Sequence, residues 1–406
     1  MKKSLDIKLQ LNTLTDCEIP KSLLVGNLNS HLIELANTFT RGDIEVVITE
    51  NNFKKFGSLV VDGLKNGGAK VKLLLIEDKD FHYAQVKSSF NGQVGAVVAV
   101  GDKNLLSAVR HYSSIHGTPC FAVATTPVIE TVFEEFVYLK TEGMPAKMKA
   151  QPFNKVIIDE DIIKKASGES FSEAFILSIS KLTALIDYKL NSYVSGGKVD
   201  GALFKIVKTA INVSASILSY DDYKTAIIYS QILLAIVNGK SNCLKGTGVD
   251  VVSSALSIFA PNALDHQKVF IAFEKTAKLY HLYFSNDFSS LLSLPDYLQE
   301  LEDLQTATNK DRSLYYNNLK IPSEKRRELI NLLIDKTKDN FKSETTLILK
   351  LLKGIKTIYQ KLLNKEEKSI ISYKQIKNAV TLSTYLTDKT NVLTLCRDSG
   401  VLKCAN

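Results

Sequence analysis

Residues 94–117 read VGAVVAVGDKNLLSAVRHYSSIHG and carry the clearest structural signal of the chain. The apolar, β-branched run 94–100 predicts a buried strand, and residues 105–115 follow with the spacing of an amphipathic helix. Gly117 predicts the end of that helix, because glycine readily adopts the left-handed conformation that closes helices. A strand that leads through a short turn into a helix predicts a parallel sheet with helical crossovers.

The same alternation continues on both sides of this stretch. Residues 44–48 predict a strand, residues 52–66 a helix, and Val71–Ile76 the next strand. Cys120–Ala124 predicts a further strand after the helix at 105–115. Ligands of such sheets bind beyond the carboxyl ends of the strands, so the residues that follow each strand are the first candidates for a functional site.

After about residue 161 the pattern changes to helical periodicity. Residues 171–194, 199–218 and 223–237 carry apolar residues at helical spacing, and no convincing strand follows them. Pro261, Pro295 and Pro322 predict breaks between helices. The predicted fold class is therefore α/β plus all-α. A Rossmann-like parallel-sheet domain of nucleotide-binding type is expected over residues 1–165, and an all-helical domain over residues 166–406.

The composition is that of an ordinary globular protein with two domains. The residues are 45% hydrophobic and 23% charged, as in most globular proteins. A length of 406 residues is more than one hydrophobic core usually holds, so two domains are expected. The net charge of +8 comes mainly from lysines. These are interpreted as solvated surface, and no nucleic-acid-binding motif accompanies them, so no nucleic-acid partner is expected.

Membrane and secretion signals are weak in this sequence. The longest apolar runs fall far short of the roughly 20 residues that span a bilayer. Asp6, Lys8 and Gln10 interrupt the stretch where a signal peptide would need an apolar run. Five cysteines without CxxC spacing predict neither a zinc knuckle nor a disulfide framework. We expect a cytoplasmic protein with no membrane partner.

A family resemblance is spread over several stretches in a fixed order. The main ones are residues 44–48 (IEVVI), 97–101 (VVAVG), 119–127 (PCFAVATTP), 156–163 (VIIDEDII), 174–190 (AFILSISKLTALIDYKL), 264–269 (LDHQKV) and 388–402 (DKTNVLTLCRDSGVL). Together they resemble the superfamily of glycerol dehydrogenase, iron-containing alcohol dehydrogenase and dehydroquinate synthase, and most closely the sn-glycerol-1-phosphate dehydrogenases. The resemblance implies a dehydroquinate synthase-like fold, NAD(P) as cofactor, and a Zn or Fe ion that polarises the substrate for hydride transfer.

The family's glycine-rich turn lets the backbone approach the pyrophosphate of the dinucleotide. The corresponding residues here are Gly101, Asp102, Lys103 and Asn104, which keep one glycine of three. Two interpretations stay open: an altered phosphate site, or a plain strand-to-helix turn in which Asn104 caps the helix. By resemblance, the candidate cofactor-binding residues are Gly101, Lys103, Asn104, Thr125 and Thr126.

Glu130 is the candidate substrate-positioning residue, because the family has an acidic residue after its Pro-Thr-Thr segment. In this chain Thr125 and Thr126 precede it. The alternative is that the two threonines only satisfy backbone groups at the end of a strand.

The family's metal is held by one aspartate and two histidines from three helical segments. By resemblance these positions are occupied here by Leu177, Val251 and Asp265, and leucine and valine have no donor atom. No catalytic metal is therefore predicted. If a metal is bound, the best reconstruction of its ligand set is Asp250, Asp265 and His266.

Three functions are compatible with these residues. The first is a catalytically impaired or silent homologue of the NAD(P)-dependent dehydrogenases that acts through ligand binding or assembly. The alternative is an active NAD(P)-dependent polyol-phosphate dehydrogenase with a rearranged metal site. A third is the binding of a small phosphate or a nucleotide through Lys103 and Arg110, without redox chemistry. The resemblance also implies a homodimer, since members of the family commonly associate.

Overall fold

The structure is a computed structural model that describes residues 2–14, 18–39, 42–77, 82–90, 94–141, 144–285, 302, 306, 323–363, 370–386, 391–398 and 401–404. The chain forms two compact units. The first unit holds Met1–Ala174 and Lys205–Asn242, and the second unit holds Phe175–Phe204 and Cys243–Asn406.

The first unit is built on a six-stranded parallel sheet. Its strands are β1 (Leu23–Val25), β2 (Ile44–Thr49), β3 (Val71–Ile76), β4 (Ala96–Gly101), β5 (Cys120–Ala124) and β8 (Lys155–Ile158), in the spatial order β1-β8-β5-β4-β2-β3. An antiparallel hairpin of β6 (Phe136–Thr141) and β7 (Met144–Lys149) precedes β8. All residues of β2, β4 and β5 are buried, as is usual for central parallel strands. The predicted parallel sheet is confirmed.

The helices that begin before residue 243 follow or separate these strands. They are α1 (Ile7–Asn12), α2 (Leu28–Thr38), α3 (Glu50–Asn66), α4 (His82–Ser89), α5 (Lys103–His116), α6 (Glu160–Ile163), α7 (Gly168–Ser195), α8 (Gly201–Ala215) and α9 (Tyr223–Lys240). In α3, Phe56, Val60 and Leu64 recur every fourth residue and bury one helical stripe in the core formed with Val46 and Val98. Gly117 ends α5 with a φ of 65°, as predicted.

The two units do not follow the predicted boundary after residue 165. Helix α9 belongs to the first unit, because its buried amides bond to that unit's backbone. The Gln231 Nε2 donates to the carbonyl of Ala174 at 2.9 Å, and the Asn238 Nδ2 donates to the carbonyl of Glu130 at 2.9 Å. The two units are therefore interleaved along the sequence, which helical periodicity alone does not indicate.

The second unit is helical throughout its described residues, as predicted. It contains most of α7, together with α10 (Gly248–Phe259), α11 (Asp265–Ser285), α12 (Ser323–Leu363), α13 (Tyr373–Ser383), α14 (Val392–Asp398) and α15 (Val401–Cys404). Pro261 lies just beyond the end of α10, as predicted, whereas Pro295 and Pro322 fall outside the described residues. Among the helices that the structure describes, none has the length and apolar character needed to cross a bilayer.

Candidate functional site

The turn between β4 and α5 is capped by its own aspartate. The Asp102 Oδ1 accepts hydrogen bonds from the backbone N–H groups of Asn104 at 3.1 Å and Leu105 at 3.0 Å. The prediction that Asn104 caps this helix is wrong, because the extended residue before the first helical turn is Asp102 (φ −80°, ψ 177°). The Asp102 carboxylate thus occupies the N–H groups that a bound anion would use.

The neighbours of Asp102 have structural partners of their own. A Cβ added to Gly101 would lie 2.6 Å from the Leu105 Cδ2, so the glycine allows the turn to pack closely on α5. The ammonium group of Lys103 forms a hydrogen-bonded ion pair with Glu173. The structure therefore places Gly101 and Lys103 at the turn, as predicted. Gly101 packs against Leu105, and Lys103 is paired with Glu173.

The segment that carries the remaining predicted residues of the first unit begins next to this turn in the sheet. The backbone N–H of Thr125 donates to the carbonyl of Gly101 at 3.0 Å and continues the β4-β5 ladder. Thr125 and Glu130 are buried and Thr126 is half-buried. The bond from Asn238 to the Glu130 carbonyl fixes the backbone at this acidic residue. A substrate-positioning role for Glu130 stays a prediction.

The three positions of the predicted metal site lie on three helices of the second unit. Leu177 is half-buried on α7, and Val251 is 6% exposed on α10. Asp265 begins α11, and its Oδ1 lies 3.4 Å from the Nζ of Lys268, which is 3% exposed. Two of the positions therefore present only carbon to their surroundings, and the third carries an ion pair.

The alternative metal set is engaged in other interactions. Asp250 belongs to the capping box of α10, and its Oδ1 lies 3.9 Å from the Nζ of buried Lys181. The His266 Nδ1 lies 2.7 Å from the Tyr359 Oη. Among the residues that the structure describes, no group of three or more His, Cys, Asp or Glu side chains is arranged to hold a metal ion. Asp250, Asp265 and His266 are thus not brought together as a ligand set.

The sequence interpretation missed a buried carboxylate, Asp187 on α7. Its Oδ2 accepts from the Tyr280 hydroxyl at 2.6 Å and from the Gly248 N–H at 3.0 Å, and its Oδ1 accepts from the Val392 N–H at 2.9 Å. It therefore joins α7 to α11 and to the first turns of α10 and α14. Burial raises the pKa of Asp187 to about 7, in spite of these hydrogen bonds, which favour the charged form.

Curated relatives of this chain include two glycerol-1-phosphate dehydrogenases. The protein of Bacillus velezensis is 20% identical over 174 residues, which are 41% of this chain and 44% of that protein. The protein of Thermococcus kodakarensis is 24% identical over 186 residues, which are 44% of this chain and 52% of that protein. The chain thus spans about half the length of the curated relatives that it matches. No family model matches it.

Similar solved structures cover nearly the whole chain. An iron-containing alcohol dehydrogenase of Thermotoga maritima superposes with a TM-score of 0.59 at 11% identity, over 96% of this chain and 98% of that one. A probable glycerol dehydrogenase of Sinorhizobium meliloti 1021 gives a TM-score of 0.59 at 11% identity, over 95% and 97%. The fold is that of the iron-containing alcohol dehydrogenases. The superfamily resemblance inferred from the sequence, with its dehydroquinate synthase-like fold, is confirmed.

An iron-containing alcohol dehydrogenase fold implies a dinucleotide at the turn after β4, but the residues present do not fit one. The Asp102 carboxylate already accepts from two N–H groups of the first turn of α5. A carboxylate about 4 Å from a phosphate would also repel it by about 4 kcal/mol at an effective dielectric near 20. The N–H groups of this turn are therefore not available to bind a pyrophosphate as they do in the superfamily.

The same fold implies a catalytic zinc or iron, and the described residues do not fit this ion either. A catalytic zinc needs three protein donors and an open position. Leu177 and Val251 supply none, and Asp265 is paired with Lys268. Aliphatic side chains are favoured in a site without metal, because unpaired donors in a dry interior raise the free energy of the folded state.

Proposed function

We propose that this chain is a homologue of the glycerol and glycerol-1-phosphate dehydrogenases that lacks metal-dependent hydride transfer and acts by binding a ligand. The observation that carries this proposal is the pair Leu177 and Val251, which by resemblance stand at two of the three positions where the superfamily holds its metal. Saturated carbon has no lone pair to donate, so one remaining carboxylate would have to hold the ion alone.

The lost ion removes the electrophile of the reaction. In such enzymes a metal polarises the substrate oxygen, which allows a hydride to move between carbon and the nicotinamide. The ammonium group of Lys268, 3.4 Å from Asp265, provides a positive charge at the third ligand position, but it has no empty orbital for a substrate oxygen. The turn at Asp102 supports the same conclusion, because hydride transfer also needs a binding site for the nicotinamide cofactor.

The active alternative has less support. A rearranged site would require Asp250, Asp265 and His266 to share one ion, whereas Asp250 caps α10 and His266 contacts Tyr359. The two related glycerol-1-phosphate dehydrogenases, which use NAD(P), nevertheless indicate which substrates to test. These are glycerol, glycerol phosphate and dihydroxyacetone phosphate, with either dinucleotide and with zinc or iron.

Rebuilding the ligand set tests the proposal. The native chain is expected to show no metal-dependent oxidation of NADH or NADPH with dihydroxyacetone phosphate. The triple variant Leu177→Asp, Val251→His, Asp265→His restores one aspartate and two histidines. It is expected to bind zinc at least about a hundredfold more tightly than the native chain, because it adds two direct ligands, and the loss of even one outer-shell partner of a ligand typically weakens metal binding by about 10- to 100-fold.

The control is the single variant Asp265→His. It keeps Leu177 and Val251 and is expected to bind zinc no more than a few-fold more tightly than the native chain. Calorimetric titration with zinc gives both affinities. Turnover by the native chain that depends on added metal and disappears with a chelator would refute the proposal.

A further inference from the structure

A small pocket lies on the flank of α5 in the first unit. It encloses about 200 Å³, counting the part open to solvent. Its walls combine two cations and two hydroxyls with apolar side chains, namely Lys103, Ser107, Arg110 and Thr131 with Leu106, Val132 and Phe153. Because this volume includes open solvent, the space within the pocket itself is smaller still, and it suits a group of few atoms rather than a dinucleotide.

Arg110 gives the pocket its charge. Its side chain is 2% exposed, and its two terminal nitrogens donate to the carbonyls of Val132 and Phe136 at 2.9 Å each. The guanidinium carbon lies 5.5 Å from the centre of the Phe153 ring. The third nitrogen, Nε, is buried and has no hydrogen-bond partner among the residues that the structure describes. One donor of a positioned cation is therefore unmatched within that part of the chain.

No anion of the described chain neutralises Arg110. Its bonded partners are neutral carbonyls, and Cys120, the described group whose charge acts on the pKa of Arg110, has its own pKa raised to about 12 by burial. That thiol is uncharged at neutral pH. Burial lowers the pKa of Arg110 itself to about 10, so the guanidinium still carries its charge at pH 7. A buried charge without a counter-charge is costly, and a bound anion would offset that cost.

Lys103 contributes a second cation whose charge is partly balanced. Its ammonium group pairs with Glu173, which therefore limits the positive potential at the pocket. Ser107 and Thr131 add two hydroxyl groups, and each can turn its O–H to donate a hydrogen bond to an anion. The set of one fixed guanidinium, one ammonium and two hydroxyls is the donor chemistry that recognises phosphate.

We infer that this pocket binds a small phosphate group, as the free ion or as the head of a phosphate monoester, through Arg110, Lys103, Ser107 and Thr131. The inference rests on the proposed function, for which it supplies the ligand class. It differs from the superfamily's dinucleotide site, because the pocket lies along the side of α5 and the N-terminal N–H groups of that helix are already taken by Asp102.

Calorimetric titration of the full chain with inorganic phosphate tests the inference. We expect a dissociation constant of about 1 mM or lower. Thr131→Val removes a hydroxyl at nearly constant volume, and Lys103→Met removes the ammonium; each is expected to weaken binding about tenfold. Glu173→Gln removes the competing negative charge and is expected to strengthen binding several-fold. Partial unfolding cannot produce such a gain.

The matched control is Lys87→Met, which removes an exposed lysine of the same unit on α4 and is expected to leave phosphate affinity unchanged. Titration with glycerol phosphate distinguishes a monoester from the free ion. The inference is overturned if native chain shows no phosphate binding, or if Thr131→Val, Lys103→Met and Glu173→Gln all behave like Lys87→Met. Failure here leaves the metal-dependent activity assay unaffected, so the two proposals fail separately.

Discussion

The variant Asp187→Asn is expected to lower the free energy of unfolding by about 3 kcal/mol. The native carboxylate accepts three hydrogen bonds, from Tyr280, Gly248 and Val392. An asparagine side chain has one oxygen for these three donors, and its NH₂ group would face at least one N–H. A buried N–H left without an acceptor costs about 1 to 3 kcal/mol, and the NH₂ group is itself left unpaired. Chemical denaturation at pH 8 measures the loss.

The matched control is Asp200→Asn on the same unit. Asp200 is exposed, and its Oδ1 accepts from the N–H groups of Ala202 and Leu203 at the start of α8. Asparagine caps helices about as well as aspartate, so this change is expected to alter stability by less than about 0.5 kcal/mol. Equal effects of Asp187→Asn and Asp200→Asn would show that Asp187 does not hold α7 to α10, α11 and α14.

The same carboxylate predicts a pH dependence of stability. Burial raises the folded-state pKa of Asp187 to about 7, above the value of about 3.9 that an aspartate has in an unfolded chain. Between these values the folded chain keeps a proton that the unfolded chain has lost. The free energy of unfolding is therefore expected to fall as the pH rises from about 4 to 7, at up to about 1.4 kcal/mol per pH unit, and the three hydrogen bonds to the ionised carboxylate account for the stability that remains above pH 7. The stability difference between the native chain and Asp187→Asn should shrink over that range, and a constant difference would contradict the assignment.

The variant Gly248→Ala is expected to cost about 2 to 4 kcal/mol by disturbing the same network from another residue. A Cβ at this position would lie 2.3 Å from the Tyr280 Oη and 2.7 Å from the Thr276 Cγ2. The first of these atoms is held by Asp187, so it cannot move without breaking a buried hydrogen bond. Overpacking of a tight site typically costs about 1 to 3 kcal/mol, and the broken bond adds to it.

Gly354→Ala is the matched control for this change. Gly354 lies within α12, and a Cβ there would have nothing within 4 Å. Alanine is expected to stabilise the chain by about 0.5 to 1 kcal/mol, because glycine is the poorer helix former. Adding Tyr280→Phe to Gly248→Ala should recover part of the loss, since the nearest clashing atom is gone. A Gly248→Ala chain as stable as the native one would refute the packing account.

The sheet was predictable because its central strands are buried on both faces. Residues 94–100 and 120–124 are continuous runs without a charged residue, and residues 44–48 are interrupted only by Glu45; such runs have few structural alternatives. The edge strand at residues 71–76 is interrupted only by Lys72. Strand β1 has only three residues, Leu23–Val25, so no periodicity could identify it. The hairpin β6-β7 carries mixed polar and apolar residues such as Lys140 and Lys147, which weaken the alternation that predicts strands.

The sequence predicted where the candidate site residues lie along the chain, but not which groups they contact. Sequence order put Asp102 and Asn104 at the start of α5, but only the backbone geometry shows which of the two caps the helix. Asp187 did leave a signal, since it is a charge directly after the apolar run Ala184 to Ile186, and such a residue needs a buried partner. Its partners Gly248 and Val392 are far away in the sequence, so the signal did not identify them.

The most direct test of the lost metal site is the metal content of the native chain. The protein would be dialysed to equilibrium against micromolar zinc, and in a second experiment against iron(II) under anaerobic conditions, and metal per chain would be measured by mass spectrometry. We predict well below one bound ion per chain for either metal, with no dependence on Leu177→Ala or Val251→Ala. One tightly held ion per chain, lost on Asp250→Ala or His266→Ala, would contradict the account.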